Sequence, residues 1–257
     1  MILVDTHTHL YLDDFDKDWR EVVDDAIESG VKYMLLPRID SETFEDQKKL
    51  SELYPENCLS MVGLHPTSVK MDYEKELEII EKELQTTKYI AVGEIGIDLY
   101  WDKSFKEQQQ TAFRKQLQLA KKYDLPVSIH MRDSFDEIYP IVKEENSASL
   151  KGIFHCFTGT LEESEKIIEL DFKMGIGGIL TFKNAGLAEV VKDIPMEHLV
   201  LETDAPFLSP APHRGKRNES KYLVNIAEKL AEIKGLSTDE VAETTTANAA
   251  AVFKLKI

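Results

Sequence analysis

The sequence predicts an α/β fold of the (β/α)8 (TIM) barrel class, in a single domain spanning residues 1–257. Three observations carry this expectation. Eight short apolar or β-branched runs alternate with longer amphipathic stretches from one end of the chain to the other. The runs are nearly continuous in apolar content, as strands covered on both faces are. Metal-binding residue types recur where several of these runs end, and a barrel gathers its active site at the C-terminal ends of its strands. A doubly wound open sheet is the alternative. The first run is not followed by G-x-G-x-x-G, which weakens the dinucleotide-binding version of it.

The elements follow in order. Ile2–Asp5 is the first strand. Phe15–Ser29 reads as a helix, with Trp19, Val22, Val23, Ala26 and Ile27 at helical spacing and a stop at Gly30. Tyr33–Leu36 and Leu59–Leu64 are the second and third strands. Tyr73–Leu84 places Leu77, Ile80 and Leu84 on one helical stripe, and Tyr89–Glu94 is the fourth strand. Phe105–Tyr123 is the next helix, carrying Ala112, Phe113, Leu117 and Ala120 and ending before Pro126. Val127–His130, Gly152–Phe154, Phe172–Ile176 and His198–Glu202 complete the eight strands. Two helices, about Tyr222–Lys234 and Ser237–Phe253, close the chain. Four S/T-x-x-E capping boxes mark helix starts: Ser104 with Glu107, Ser134 with Glu137, Thr160 with Glu163, and Ser237 with Glu240.

Hydrophobic residues make up 42% of the chain, enough for the large core a barrel needs. Lys and Arg number 31 against 47 Asp and Glu, a formal charge of 31 − 47 = −16. Such a protein has no general attraction for nucleic acid or an anionic membrane, so a polyanionic substrate must be held by a local patch or by metal ions. Cys58 and Cys156 are isolated thiols that build neither a disulfide framework nor a Cys-rich zinc site, and they fit a reducing cytosol. Neither a secretory leader nor an apolar run long enough to span a membrane is visible. The expectation is a cytoplasmic protein without a membrane partner. Nothing in the sequence fixes the number of subunits, and a monomer satisfies it.

Asp5-Thr6-His7-Thr8-His9 is the densest chemical signal. In extended chain, residues two apart share a side, so His7 and His9 aim their imidazoles at one point. Alone the pair is half a metal site. His65, Glu94, His130, His155 and Asp204 then fall at the ends of the third, fourth, fifth, sixth and eighth strands. His198 starts its strand and belongs to the opposite, structural face. Four imidazoles with two carboxylates exceed what one tetrahedral ion requires and suit two divalent ions sharing a carboxylate. Glu94 is the natural bridge, because its strand lies between those carrying His7 and His9 and those carrying His130 and His155. Zn, Mn, Mg, Co and Ni are all compatible with such donors.

Six segments in order, D-T-H-T-H from Asp5, G-L-H-P from Gly63, G-E-I-G-I-D from Gly93, H-M-R-D from His130, H-C-F-T-G from His155 and E-T-D-A-P-F-L-S-P from Glu202, resemble the motif series of the TatD family of metal-dependent DNases. The resemblance runs from residue 2 to about 250. It implies an amidohydrolase-like TIM barrel in which His7, His9, Glu94 and Asp204 hold one ion and Glu94, His130 and His155 hold a second. It implies hydrolysis of DNA phosphodiesters, often from the 3′ end, with Asp204 taking the proton from the attacking water. His65 is then expected on the substrate phosphate. Glu202 has two readings: a catalytic group near the ions, or a carboxylate behind a ligand histidine.

Two departures from the family pattern stand out. Ser220 occupies a position where proline is usual in R-G-x-x-N-x-P, and Pro37-Arg38-Ile39-Asp40 replaces a smaller turn after the second strand. Arg38 is therefore expected either at the mouth of the site or in solvent. His213, Arg214, Lys216 and Arg217 form the densest cationic stretch of an acidic chain, and Arg214, Lys216 and Arg217 are candidate phosphate anchors. Tyr100 and Trp101 either offer a stacking surface to a base or pack under their loop. The sequence thus favours a 3′–5′ exodeoxyribonuclease acting on DNA ends. The competing readings are an ester or amide hydrolase, such as an aminoacyl-tRNA deacylase, and a non-catalytic metal-binding protein.

Overall fold

A computed structural model describes residues 1–257. Eight parallel strands follow one another: β1 (Leu3–Asp5), β2 (Val31–Leu36), β3 (Cys58–Ser60), β4 (Val92–Asp98), β5 (Val127–Arg132), β6 (Gly152–Phe154), β7 (Lys173–Ile176) and β8 (Leu199–Leu201). Ladders join β1-β2-β3 and β4-β5-β6-β7-β8. Two short seams close the ring. The Val62–Val92 bridge, with Gly93 N–H donating to Val62 O at 2.9 Å, joins the chain after β3 to β4. Thr6 N–H donates to Leu201 O at 3.1 Å, joining β1 to β8. The result is the predicted TIM barrel.

The helices are α1 (Trp19–Glu28), α2 (Phe44–Leu53), α3 (Tyr73–Thr86), α4 (Lys106–Lys122), α5 (Phe135–Glu145), α6 (Leu161–Glu169), α7 (Leu187–Asp193), α8 (Leu223–Lys234) and α9 (Thr238–Phe253). Their apolar stripes meet the outer faces of the strands. Val22, Val23 and Ala26 of α1, Phe113 and Leu117 of α4, and Ile226 and Leu230 of α8 belong to one buried core with the strands. A second cluster joins Val4, Leu35, Met61, Ile153 and Val200 to Ala249, Val252 and Phe253 at the end of α9. No helix is long and apolar enough to cross a membrane.

The expected boundaries shift where hydrogen bonding is irregular. β3 ends at Ser60 because, after a last bond from Met61 N–H to Leu36 O of β2, the next residues pair elsewhere: Val62 N–H with Ala91 O, and Leu64 N–H with Gln116 Oε1 of α4. β4 runs on to Asp98, four residues past the expected end, so Glu94 lies within the strand, where the register with β5 shifts between Val92 and Ile95. Gly96 permits that approach: its φ is +149°, and a Cβ there would lie 2.0 Å from His130 O. His198 sits in a 3-10 turn just before β8. The capping boxes of α6 and α9 form as expected. Those at Ser104 and Ser134 do not. Ser134 Oγ instead donates to Ile97 O at 2.6 Å, and Phe105 stands at the start of α4.

Candidate metal centre

The ends of β1, β4, β5, β6 and β8 bring six expected ligands to one buried point. His7 and His9 follow β1, their Nε2 atoms 3.3 Å apart. Glu94 Oε2 lies 3.2 Å from His7 Nε2 and 3.6 Å from His9 Nε2. Asp204 Oδ1 lies 3.6 Å from His9 Nε2 and 3.9 Å from His7 Nε2. The other Glu94 oxygen, Oε1, lies 2.7 Å from His130 Nδ1 and 2.8 Å from His155 Nε2, which are 3.3 Å from each other. Donors held at about 2.0–2.2 Å around a common ion stand roughly 3–3.6 Å apart. Both groups are close to that spacing, and Glu94 contributes one oxygen to each.

The surroundings of each ring set which nitrogen keeps a lone pair. Tyr11 Oη donates to Pro37 O at 2.6 Å, so its oxygen accepts Nδ1–H of His9 at 2.9 Å and leaves Nε2 free as a donor atom. Asp98 Oδ2 accepts from His130 Nε2 at 2.9 Å, freeing Nδ1. His7 Nδ1 faces Ser128 Oγ at 3.1 Å. His65 is wired the opposite way. Its Nδ1 accepts Thr67 N–H at 3.2 Å, so the ring proton sits on Nε2, which faces Glu94 Oε1 at 3.3 Å. His65 therefore presents a hydrogen-bond donor, in contrast to the wiring of His9 and His130.

Glu202 stands behind His155. Its Oε1 faces His155 Nδ1 across 3.5 Å and accepts the Cys156 amide, the geometry of a carboxylate behind the His155 ring. Its Oε2 has no protein partner and lies against Gly175, where a Cβ would come within 2.0 Å of it. Asp5 orients no imidazole. Its carboxylate accepts Thr203 N–H at 2.9 Å, Thr203 Oγ1 at 2.6 Å and Ser220 Oγ at 2.7 Å, tying β1 to the segment that carries Asp204. Ser220, at the usual proline position, supplies a bond that proline cannot.

Burial and mutual charge set the protonation of the metal-free centre. Burial lowers His7 to about 4 and takes His9 well below its ordinary value. For His130 and His155 burial acts the same way but is outweighed, by Asp98 and Glu94 for the first and by Glu94 and Glu202 for the second, so both are raised. Burial alone would raise Glu94, yet His65, His155 and His7 hold it well below the usual carboxylate range. Burial pushes Asp204 up to about 8.

The expected cationic loop is mostly occupied. Arg217 pairs with both carboxylate oxygens of Asp18, at 2.8 and 2.7 Å, and with Glu219 at 3.1 Å. Arg214 stacks 3.5 Å from the Phe182 ring centre and donates to Ser209 O, while His213 stacks on Tyr222. Arg214 and Lys216 are both exposed without an ion-pair partner, and Lys216 alone of the three cations makes no bond or ring contact. Arg38 is neither at the mouth nor in solvent. It is buried, bonded to Gln47, Glu83 and Tyr89 and stacked on Phe44. Trp101 is 70% exposed and Tyr100 is also exposed, so neither packs beneath its loop. Arg132, on β5 two residues past His130, lies 4.0 Å from the Tyr100 ring centre.

A profile of the TatD related DNase family matches residues 4–254. The chain belongs to the TatD family. Among its relatives, the metal-dependent hydrolase YabD of Bacillus subtilis is 39% identical over 255 residues, covering 99% of this chain and all of YabD. The crystal structure of the TatD homologue YjjV of Escherichia coli K12 superposes with a TM-score of 0.93 at 30% identity, covering 99% of this chain and 98% of YjjV. A TatD family hydrolase of Entamoeba histolytica superposes at 0.83 with 25% identity, over 98% of each chain. This TatD family chain is thus a metal-dependent hydrolase, and its clustered His, Glu and Asp side chains are its candidate metal ligands. Sequence reasoning passed over Tyr11, Thr67, Asp98 and Ser128, the residues that orient the rings. Asp98 alone left a signal: it is four residues past Glu94 in one extended stretch, on the same side.

Proposed function

We propose that this TatD family hydrolase cleaves phosphodiester bonds at DNA ends, removing nucleotides from the 3′ side. The observation that carries the reading is Glu94, whose two oxygens face two separate donor groups. His7, His9, Glu94 and Asp204 would hold one divalent ion, and Glu94, His130 and His155 a second. Two such ions, when bound, acidify water and neutralise charge on a phosphate.

The protein's own residues do the rest. Asp204 is the more open of the two carboxylates, 13% exposed at its side chain against 3% for Glu94. Its second oxygen, Oδ2, makes no bond within the protein and is free to take a proton from water. His65, with its proton on Nε2, donates to a phosphate oxygen. Arg132, exposed beside the Tyr100 ring, and Lys216 are the cations assigned to the strand's phosphates, since Arg214 is held on Phe182 and Ser209 and Arg217 is paired with Asp18 and Glu219. A net charge of −16 disfavours a long duplex footprint and suits the capture of a strand end.

The test pairs end-labelled single-stranded DNA with charged tRNA, using metal-loaded protein and its Asp204→Asn variant. Stepwise loss of 3′ nucleotides by the parent, reduced at least about a hundredfold in the variant, supports the reading. Intact DNA alongside deacylated tRNA would transfer the function to the ester-hydrolase alternative.

A further inference from the structure

A cavity of about 300 Å³ opens beside the metal centre, between the segment after β3 and the segment after β4. Two of its lining residues also hold site histidines: Thr67, which bonds His65, and Asp98, which bonds His130. The cavity is therefore one side chain away from the donors around Glu94 Oε1. Its volume lies at the lower end of the range for small-ligand sites, roughly 300–1,000 Å³.

The lining states what fits. Val69 is a buried apolar wall, while Trp101 and Phe105 add aromatic surface. Lys70 stands over the Phe105 ring at 5.3 Å. Asp98 is spent on His130 and on the amides of Tyr100 and Trp101, and one Asp102 oxygen on the amide of Ser104. Gln109 is 2% exposed. Its Oε1 accepts Asp98 N–H at 2.9 Å, and its Nε2, which makes no bond within the protein, opens to the cavity. An amide donor that opens to a cavity without a protein partner is available to a ligand or to water. Flat aromatic surface, an apolar wall and one unpartnered amide donor describe a site for a neutral planar heterocycle carrying a carbonyl or ring-nitrogen acceptor.

We propose that this cavity is a base subsite, which takes the nucleobase next to the phosphate under attack, stacks it on Trp101 and meets its acceptor with Gln109 Nε2. The assignment rests on the phosphodiesterase reading for the position of that base, but not for its binding. Aromatic stacking is sequence-tolerant, so the subsite grips a strand end without selecting one base strongly.

The chain has two tryptophans, Trp19 and Trp101, so metal-loaded Trp19→Phe protein reports Trp101 emission alone. Thymidine is expected to quench that emission saturably, and 2-deoxyribose is not. Gln109→Glu retains the acceptor for Asp98 N–H but removes the donor, and should weaken thymidine binding about tenfold. In a second readout, Trp101→Ala should lower the preference for a thymidine dinucleotide over its abasic counterpart by about tenfold in kcat/KM. Trp101 is exposed, so the truncation does not threaten the fold. No saturable quenching by thymidine, or an unchanged preference in Trp101→Ala, would overturn the subsite. A parent protein that binds thymidine but cleaves no phosphodiester would remove the functional reading and leave the subsite standing.

Discussion

Replacing Tyr11 with phenylalanine removes one oxygen and isolates two buried groups. Tyr11 Oη receives Nδ1–H of His9 at 2.9 Å and gives its own proton to Pro37 O at 2.6 Å. Burial raises the phenol well above 10, so the hydroxyl stays protonated across any practical assay range. The phenylalanine ring fills the same volume, which leaves the missing bonds as the whole effect. An unpaired buried polar group costs about 1–3 kcal/mol, and here the ring N–H and the carbonyl are both left without a partner. Partial relief by water brings the expected loss of stability to about 2 kcal/mol. The larger consequence is for the metal. Without the hydroxyl, His9 is free to place its proton on Nε2, the atom that faces Glu94 and Asp204. Loss of such an orienting partner lowers metal affinity about 10–100-fold. Titration of Tyr11→Phe with divalent metal against a competing chelator measures the affinity, and urea unfolding of the metal-free protein measures the stability. Metal affinity within about twofold of the parent would refute the reasoning, because the proton would then be fixed on Nδ1 by something other than Tyr11.

Three further outcomes follow from local geometry. In Gly175→Ala the new methyl meets Glu202 Oε2, and overpacking of this kind costs about 1–3 kcal/mol; urea unfolding should show it, together with weaker metal binding as Glu202 is pushed from His155. Ser220→Ala removes a 2.7 Å bond to the buried Asp5 carboxylate and should cost about 1.5–3 kcal/mol, while Ser220→Pro should fail to recover it in the same unfolding assay. Burial pushes the Cys58 thiol up to about 12, so native protein at about pH 8 should resist iodoacetamide at Cys58 and become labelled in urea. The sign of the linked effect is fixed: above about pH 9 the unfolded chain releases this proton while the native chain keeps it. Stability from this residue is therefore lost as pH rises from about 9 towards 12, and Cys58→Ala should flatten that part of the urea-midpoint profile.

What could be read from the sequence was what depends on period and position. Ligands at strand ends were visible because side chains two apart in an extended chain share a side, and because a barrel collects such ends on one face. The placing of Glu94 between the two donor groups followed from strand order. The rest depends on partners distant in sequence. Arg38 reads as a surface charge, and only the fold brings Gln47, Glu83 and Tyr89 to its guanidinium. Arg217 sits in a basic run that looks free, and Asp18, from the start of α1, neutralises it. α2 escaped notice because its ten residues bury little beyond Gln47 and Leu50, so no apolar stripe marks it. β4 runs past Glu94 because Gly96, at φ +149°, lets the strand pass closely beside His130, an approach that apolar periodicity does not mark. Tyr11 lies outside any regular element, and nothing in its sequence neighbourhood points to the His9 ring.

The central claim is that the Glu94 carboxylate divides two metal sites. Anomalous diffraction from crystals of the metal-loaded protein tests it most directly. The account predicts two peaks roughly 3.5–4 Å apart, the first ligated by His7, His9, Glu94 Oε2 and Asp204 and the second by Glu94 Oε1, His130 and His155. A single fully occupied ion with His130 and His155 left unligated, or an ion coordinated by His65 Nε2 in their place, would contradict it.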